Sequence, residues 1–267
     1  MPSVAELRVY PVKSLRGRAV RQAQVEPWGL AGDRRWMVVT PDGRFVTQRA
    51  HPVMATIIAA AGPAGLTLSQ PGRRPLTVPF PEAAAETVAI WRDSVPAVPA
   101  GPAADAWLSD AMALDCRLVY QADPRSRPVD PAFSAPGDHV TFADGFPLLV
   151  TTQGSLADLE ARLGRPLGMD RFRANVVVEG TDAWDEDHWR VIRIGEVTFR
   201  ATKPCGRCVM TTIDQETGIK AEDGEPLRFL ASFRRDEAGR IVFGQNLIPD
   251  GPGRIAQGDA VEVLERG

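Results

Sequence analysis

From residue 4 to residue 91 the chain is a run of short β-rich segments broken at close intervals by turn residues, and this punctuation constrains the fold more than any other feature. Residues 4–10 alternate apolar and polar, and residues 19–25 do so in part. Residues 35–40 and 44–48 flank Pro41-Asp42-Gly43, a hairpin signal. Further strands are expected at 56–60, 66–69, 76–78 and 87–91. Such spacing argues for a barrel or a sandwich. Composition supports it: 24 glycines and 23 prolines among 267 residues is well above ordinary usage.

Further along, residues 94–104 hold Pro96, Pro99 and Pro102 and read as a stiff connector. Trp107, Leu108 and Met112 have helical spacing within 103–113, and a strand is expected at 116–120. Four prolines make 123–137 a loop, of the kind that borders a site. The clearest helix is 155–163, with Ser155 as N-cap and Gly164 as C-cap. Strands are then expected at 175–179, 189–194, 197–201, 209–213, 241–243 and 260–264. The fold class that follows is mostly β with some α.

A net charge of −3 excludes a generally nucleic-acid-coating or polybasic membrane-binding chain. The uncharged run 50–72 is interrupted by Pro52, Gly62, Pro63, Gly65 and Pro71, so no membrane helix is expected. Glu6 and Arg8 argue against a signal peptide. Three cysteines are too few for a disulfide framework, so the expectation is a cytoplasmic protein, with neither nucleic acid nor membrane as partner.

Lys203-Pro-Cys-Gly-Arg-Cys208 is the sharpest local signal. Zinc would need two more ligands, and Cys116, His51, His139 and His188 show no ligand spacing. A redox pair needs a helix after the first cysteine. Two inert thiols on a turn would be the default reading, but Lys203 and Arg207 alongside favour a thiolate able to bind a soft metal. Lys13, Ser14, Arg34 and Arg35 at strand ends are suitable donors for a phosphate. Arg173 and Asn175, two residues apart, share one face of an expected strand, as would Arg171. Asp144, alone, reads as an Asx-turn residue. No dinucleotide, Walker-A, zincin or nucleophile-elbow motif is present.

Taken together, Tyr10-Pro-Val-Lys-Ser14, the stretch 29–36 and Thr47-Gln-Arg49 resemble the β-barrel domain that precedes MOSC domains. Asp144-Gly-Phe-Pro-Leu-Leu149, Ser155-Leu-Ala-Asp-Leu159, Phe172-Arg-Ala-Asn-Val176, Cys205-Gly-Arg-Cys208, the stretch 211–218 and Phe243-Gly-Gln-Asn246 resemble the MOSC domain itself. The order matches over residues 3–265, and the resemblance is strongest to the amidoxime-reducing component family. It implies an N-terminal β-barrel domain, 1–118, and a mixed MOSC β-barrel domain, 119–267. It also implies a molybdenum cofactor, molybdopterin-bound molybdenum completed by one protein thiolate, with Cys208 as that ligand. Lys13, Ser14, Arg34, Arg173, Asn175 and Arg207 would then bind the pterin and its phosphate, and Asp144 would act beside the metal. The implied activity is reduction of N-hydroxylated compounds (amidoximes, hydroxamic acids, N-hydroxylated bases) by oxygen-atom removal at molybdenum. Electrons would come from a separate donor, a ferredoxin or flavoprotein reductase. The alternative is a carrier of sulfur or of cofactor.

Overall fold

The computed structural model describes residues 1–267 and contains 18 strands and three α-helices. The fold is mostly β, as the punctuation of the sequence predicts. Its largest sheet has eight strands. Their spatial order is Val261–Arg266, Trp189–Ile194, Val197–Gly206, Val242–Pro249, Leu148–Thr152, Val176–Glu179, Ser3–Val9 and Arg18–Val20. Val176, Val177 and Val178 are all buried, as a central strand requires, and pair in parallel with Leu148–Thr152 through the helix Gln153–Leu163. Val4, Leu7, Val150, Trp189 and Phe199 belong to the main core cluster. Fully burying side chains of this size contributes roughly 1.5–3 kcal/mol each.

The N-terminal half has its own core around Trp36, Leu66, Leu108 and Leu118. It is walled by two smaller sheets. One has four strands, ordered Trp36–Val39, Arg117–Tyr120, Asp93–Pro99 and Glu86–Ile90. The other runs Ile58–Gly62, Gly65–Ser69 and Leu76–Pro79, and the helix Pro102–Met112 packs nearby. The chain crosses between halves at both ends of this region. Ser3–Val9 pairs with Val176–Glu179, whereas Arg117–Tyr120, which spans position 118/119, pairs with Trp36–Val39. No helix is long and apolar enough to cross a membrane.

Three local expectations are corrected, and one helix is new. Residues 93–99 form a strand rather than a connector: Pro96 lies opposite Thr87 where the strand has only one hydrogen-bonded neighbour, so its missing N–H breaks no second ladder. Residues 209–213 do not form a strand. Val209–Thr212 is a 3-10 helix, in which the Thr211 and Thr212 hydroxyls donate to the carbonyls of Cys208 and Val209. The helix predicted at 155–163 starts at Gln153 and is capped by Thr152, whose hydroxyl accepts from Ser155 N at 3.1 Å; Gly164 ends it as expected. The helix Leu227–Phe233 had no signal strong enough to be expected.

Ser155 is freed from capping to donate to the buried Glu186 Oε2 at 2.7 Å, beside Thr152 Oγ1 at 3.0 Å. The second oxygen, Glu186 Oε1, is buried without a partner. Burial raises this carboxyl's pKa above the ordinary Glu value, against the two hydroxyl hydrogen bonds. Its contribution to stability is therefore fully present below the ordinary Glu range and is lost as pH rises through the raised folded value. Glu186→Gln is expected to remove that loss and to be more stable than wild type at pH 7 by about 1 kcal/mol. Thermal melts at pH 4 and pH 7 check it; an unchanged pH dependence in the variant would assign the loss elsewhere.

Candidate active site

Backbone hydrogen bonds stitch five distant segments around one cavity. Lys13 N donates to Trp36 O, Arg34 N to Tyr10 O, Phe142 N to Arg34 O, Asn175 N to Leu149 O and Arg207 N to Ile241 O, each at 2.7–2.9 Å. The cleft between them measures about 920 Å³ out to its mouth. Lys13, Ser14, Arg34, Asp144, Arg173, Asn175, Arg207 and Cys208 all line it. The structure therefore brings together every residue that the resemblance implies for the site, whereas Arg35 turns away to donate to the carbonyls of Gln121 and Ala122.

It does so by a different local route. Arg173 and Asn175 do not share a strand face, because the strand begins only at Val176. Arg173 instead ends the 3-10 helix Met169–Phe172 in a left-handed conformation, φ +55°. Ser14 (φ +65°) and Arg34 (φ +46°) are also left-handed, so three of the six non-glycine residues with positive φ line this cavity. Such backbone is sparsely populated, and it concentrates where surrounding structure holds functional groups in place.

The lining is strongly basic: six cations face one acid, Asp144. Three of the six are paired, Lys13 with Asp144, Arg34 with Asp33 and Arg171 with Asp214. Arg49, Arg173 and Arg207 remain as the excess, with Arg49 Nη2 3.9 Å from Asp144 Oδ2. Arg207 is held by the carbonyls of Phe243 and Phe172 at 2.6–2.9 Å, which positions its charge without neutralising it. Arg173 and Arg34 each lie 4.4 Å from the centroid of the buried Tyr10 ring. Arg173 Nη1 is buried and has no partner at all. Burial, partly offset by Tyr10 and reinforced by the like charge of Arg34, lowers the Arg173 pKa to about 10.

Lys13 is buried and donates to Phe142 O at 3.0 Å and to Asp144 Oδ1. Burial lowers its pKa, against the pull of Asp144. Asp144 itself keeps 64% of its side-chain surface, open to the cleft. Burial of its carboxyl by the surrounding lining would push its pKa up, but Lys13, by charge and hydrogen bond, and then Arg49 and Arg34, hold it well below the ordinary carboxylate range. The Asx-turn reading is thus incomplete: Asp144 is the acidic partner of Lys13, 131 positions away in sequence.

Asn175 spends its side chain on the protein. It accepts from Arg34 Nη1 at 2.9 Å and donates to Arg8 O and Asp33 Oδ1 at 3.1 Å. It orients Arg34 rather than facing the cavity with free donors. Cys208 caps the 3-10 helix, and Arg49 Nε lies 3.3 Å from its sulfur. Cys205 lines the same cavity but packs against Leu149, Ala174 and Val177, and burial raises its thiol pKa. The two thiols are free, and Cys116 is buried in the N-terminal core. No three His, Cys, Asp or Glu side chains gather as a metal cage, so the cysteine pair has no zinc-type companions.

Arg49 is the residue that sequence reasoning undervalued. It stands in the Thr47-Gln-Arg49 motif, yet only the fold brings it to Cys208 and Asp144. Behind it, Gln48 donates to Ser14 O at 2.7 Å and exchanges amide hydrogen bonds with the buried Gln215 at 3.3 Å.

Two β-rich halves that jointly wall a basic cleft holding the Cys205 and Cys208 thiols define a two-part MOSC architecture. Residues 1–115 match the MOSC N-terminal beta barrel domain and residues 137–262 the MOSC domain. The chain is 32% identical over 280 residues to mitochondrial amidoxime-reducing component 1 of Homo sapiens, covering 98% of this chain and 83% of that protein. It is 33% identical to the Mus musculus protein of the same name, covering 98% and 82%. Against mitochondrial amidoxime reducing component 2 of Bos taurus the identity is 30%, covering 87% and 72%. The chain belongs to this family of MOSC proteins.

Proposed function

We propose that this chain is a molybdenum-cofactor oxidoreductase that reduces N-hydroxylated compounds such as amidoximes, hydroxamic acids and N-hydroxylated bases. The observation that carries the reading is Arg173, a buried guanidinium with an unpartnered Nη1, in a cavity that ends on Cys208. An unpaired buried cation is costly, and an anion seated beside it removes the cost. The phosphate of a pterin cofactor is such an anion, and Cys208 supplies the single soft ligand that a dithiolene-bound metal still lacks. The residues present therefore fit the group. Arg173, Lys13, Arg34 and Ser14 would hold its anionic end, with Asn175 and Arg207 fixing the arrangement from behind.

Once bound, the cofactor would supply two-electron removal of oxygen from the N–OH group. The chain contributes the rest. Lys13 and Asp144 share one proton, resident on Lys13 Nζ, and Asp144 presents the exposed end of that relay to the cleft. Arg49 keeps positive charge against the Cys208 sulfur. Electrons come from a separate donor of ferredoxin or flavoprotein-reductase type. Sulfur carriage is the weaker reading, because Cys205 is packed against apolar side chains.

The test is expression in a host that makes molybdopterin. About one molybdenum per chain, with reduction of benzamidoxime by a chemical donor, is expected; a chain without molybdenum and without turnover overturns the reading. Arg173→Met is expected to weaken cofactor retention by ~2–3 kcal/mol, read as molybdenum lost on dialysis. The same substitution should raise the melting temperature of the cofactor-free protein, since it deletes the unpartnered buried charge.

A further inference from the structure

A second cleft, of about 1120 Å³ out to its mouth, adjoins the first and shares Asp144, Gly145 and Phe146 with it. Its other walls include Trp91, Arg92 and Lys203. Trp91 opens the two-residue turn between the strands Glu86–Ile90 and Asp93–Pro99, where Asp93 pairs with Ile90. It is 43% exposed, yet its backbone is left-handed at φ +55°. Tight hairpins place glycine or asparagine in that conformation, and a bulky aromatic there is strained. Stability alone does not account for a strained, solvent-facing tryptophan. Its ring is nevertheless held in a defined place, 4.5 Å from the Arg49 guanidinium and 4.8 Å from the Phe45 ring.

The charges of this cleft are equally uneven. Asp93 is tied to Arg127 and Asp144 to Lys13, while Asp130 accepts from Ala132 N within its own turn. Lys203 has no carboxylate among its contacts; its Nζ lies 3.9 Å from the Phe133 ring centroid and 5.3 Å from that of Phe146. Arg92 is exposed and enters no ion pair. Two cations are left uncommitted beside aromatic walls.

We propose that this cleft is a specificity subsite that takes a flat ring against Trp91 and Phe146 and an anionic substituent at Lys203 and Arg92. The preferred substrates are then N-hydroxylated aromatic or heteroaromatic compounds that carry a carboxylate or a phosphate. The reduction itself rests on the function proposed above, whereas binding of such compounds does not.

The experiment compares benzamidoxime, 4-carboxybenzamidoxime and N6-hydroxyadenosine monophosphate on the cofactor-loaded protein, reading kcat/KM for each and Kd by calorimetry. At least one anionic probe is expected to exceed benzamidoxime about tenfold in both readouts, and whichever does so identifies the anion as carboxylate or phosphate. Lys203→Met should bring that ratio to within about twofold of one. Trp91→Gly, which suits the left-handed backbone, should weaken binding of the favoured probe about tenfold without lowering the melting temperature. Equal affinities in wild type, or a preference untouched by Lys203→Met, overturn the subsite and leave the proposed reaction standing. Binding that depends on Lys203 in a protein that reduces none of the three overturns the reaction and leaves the subsite standing.

Discussion

Cys208→Ser is expected to lose its molybdenum and all amidoxime turnover, while Cys205→Ser keeps the metal and a substantial part of the activity. The asymmetry follows from the number of thiolates needed. A zinc, disulfide or redox-pair role engages both cysteines, so losing either would have similar consequences. A metal already held by two dithiolene sulfurs requires one more, and a neutral hydroxyl is a poor replacement for a soft anionic ligand. The structure makes the comparison clean. Cys208 supports the local fold through its backbone carbonyl, which holds Thr211 N at 3.1 Å, and a serine leaves that bond intact. Its side chain faces Arg49 in the cleft. Cys205 instead packs beside Leu149, Ala174 and Val177, so its replacement costs about 1 kcal/mol of stability rather than the metal. Molybdenum content and turnover of both variants beside wild type provide the check. Equal losses would restore a paired-cysteine role, and an active Cys208→Ser would end the ligand assignment.

Asp144→Asn is expected to lower turnover by about 10²-fold or more with metal loading retained. The substitution keeps shape and one oxygen able to accept from Lys13 Nζ, so the buried ammonium is not stranded. What disappears is the charge that the surrounding cations keep ionised, and with it the relay role proposed for this carboxylate. Single-turnover rates at matched molybdenum content separate chemistry from loading. Unchanged rates would reduce Asp144 to a structural anchor for Lys13.

Much of this molecule is legible without coordinates because strand and turn signals are local. Period-two alternation in residues 4–10 and the Gly164 stop of the helix Gln153–Leu163 act through sterics and hydrogen bonds within a few residues. Where local signals misled, a local alternative had stronger support in the folded chain. The β-branched run after Cys208 turned into a 3-10 helix because threonine hydroxyls satisfy its carbonyls. The site residues were recognisable as motifs, but their arrangement was not. Arg49 reaches Cys208 across 159 positions, and Asn175 serves Arg34 across 141. Trp91, silent in the sequence, becomes a wall of the second cleft. Thus the sequence by itself determined the β-rich class, many of the turns and the basic and thiol side chains available to the cleft. Only the tertiary structure decided which cation is left unpaired, which cysteine meets Arg49 and which acid meets Lys13. Those outcomes depend on the pairing of distant strands, above all Ser3–Val9 with Val176–Glu179, and register between remote segments is set by packing of the whole core.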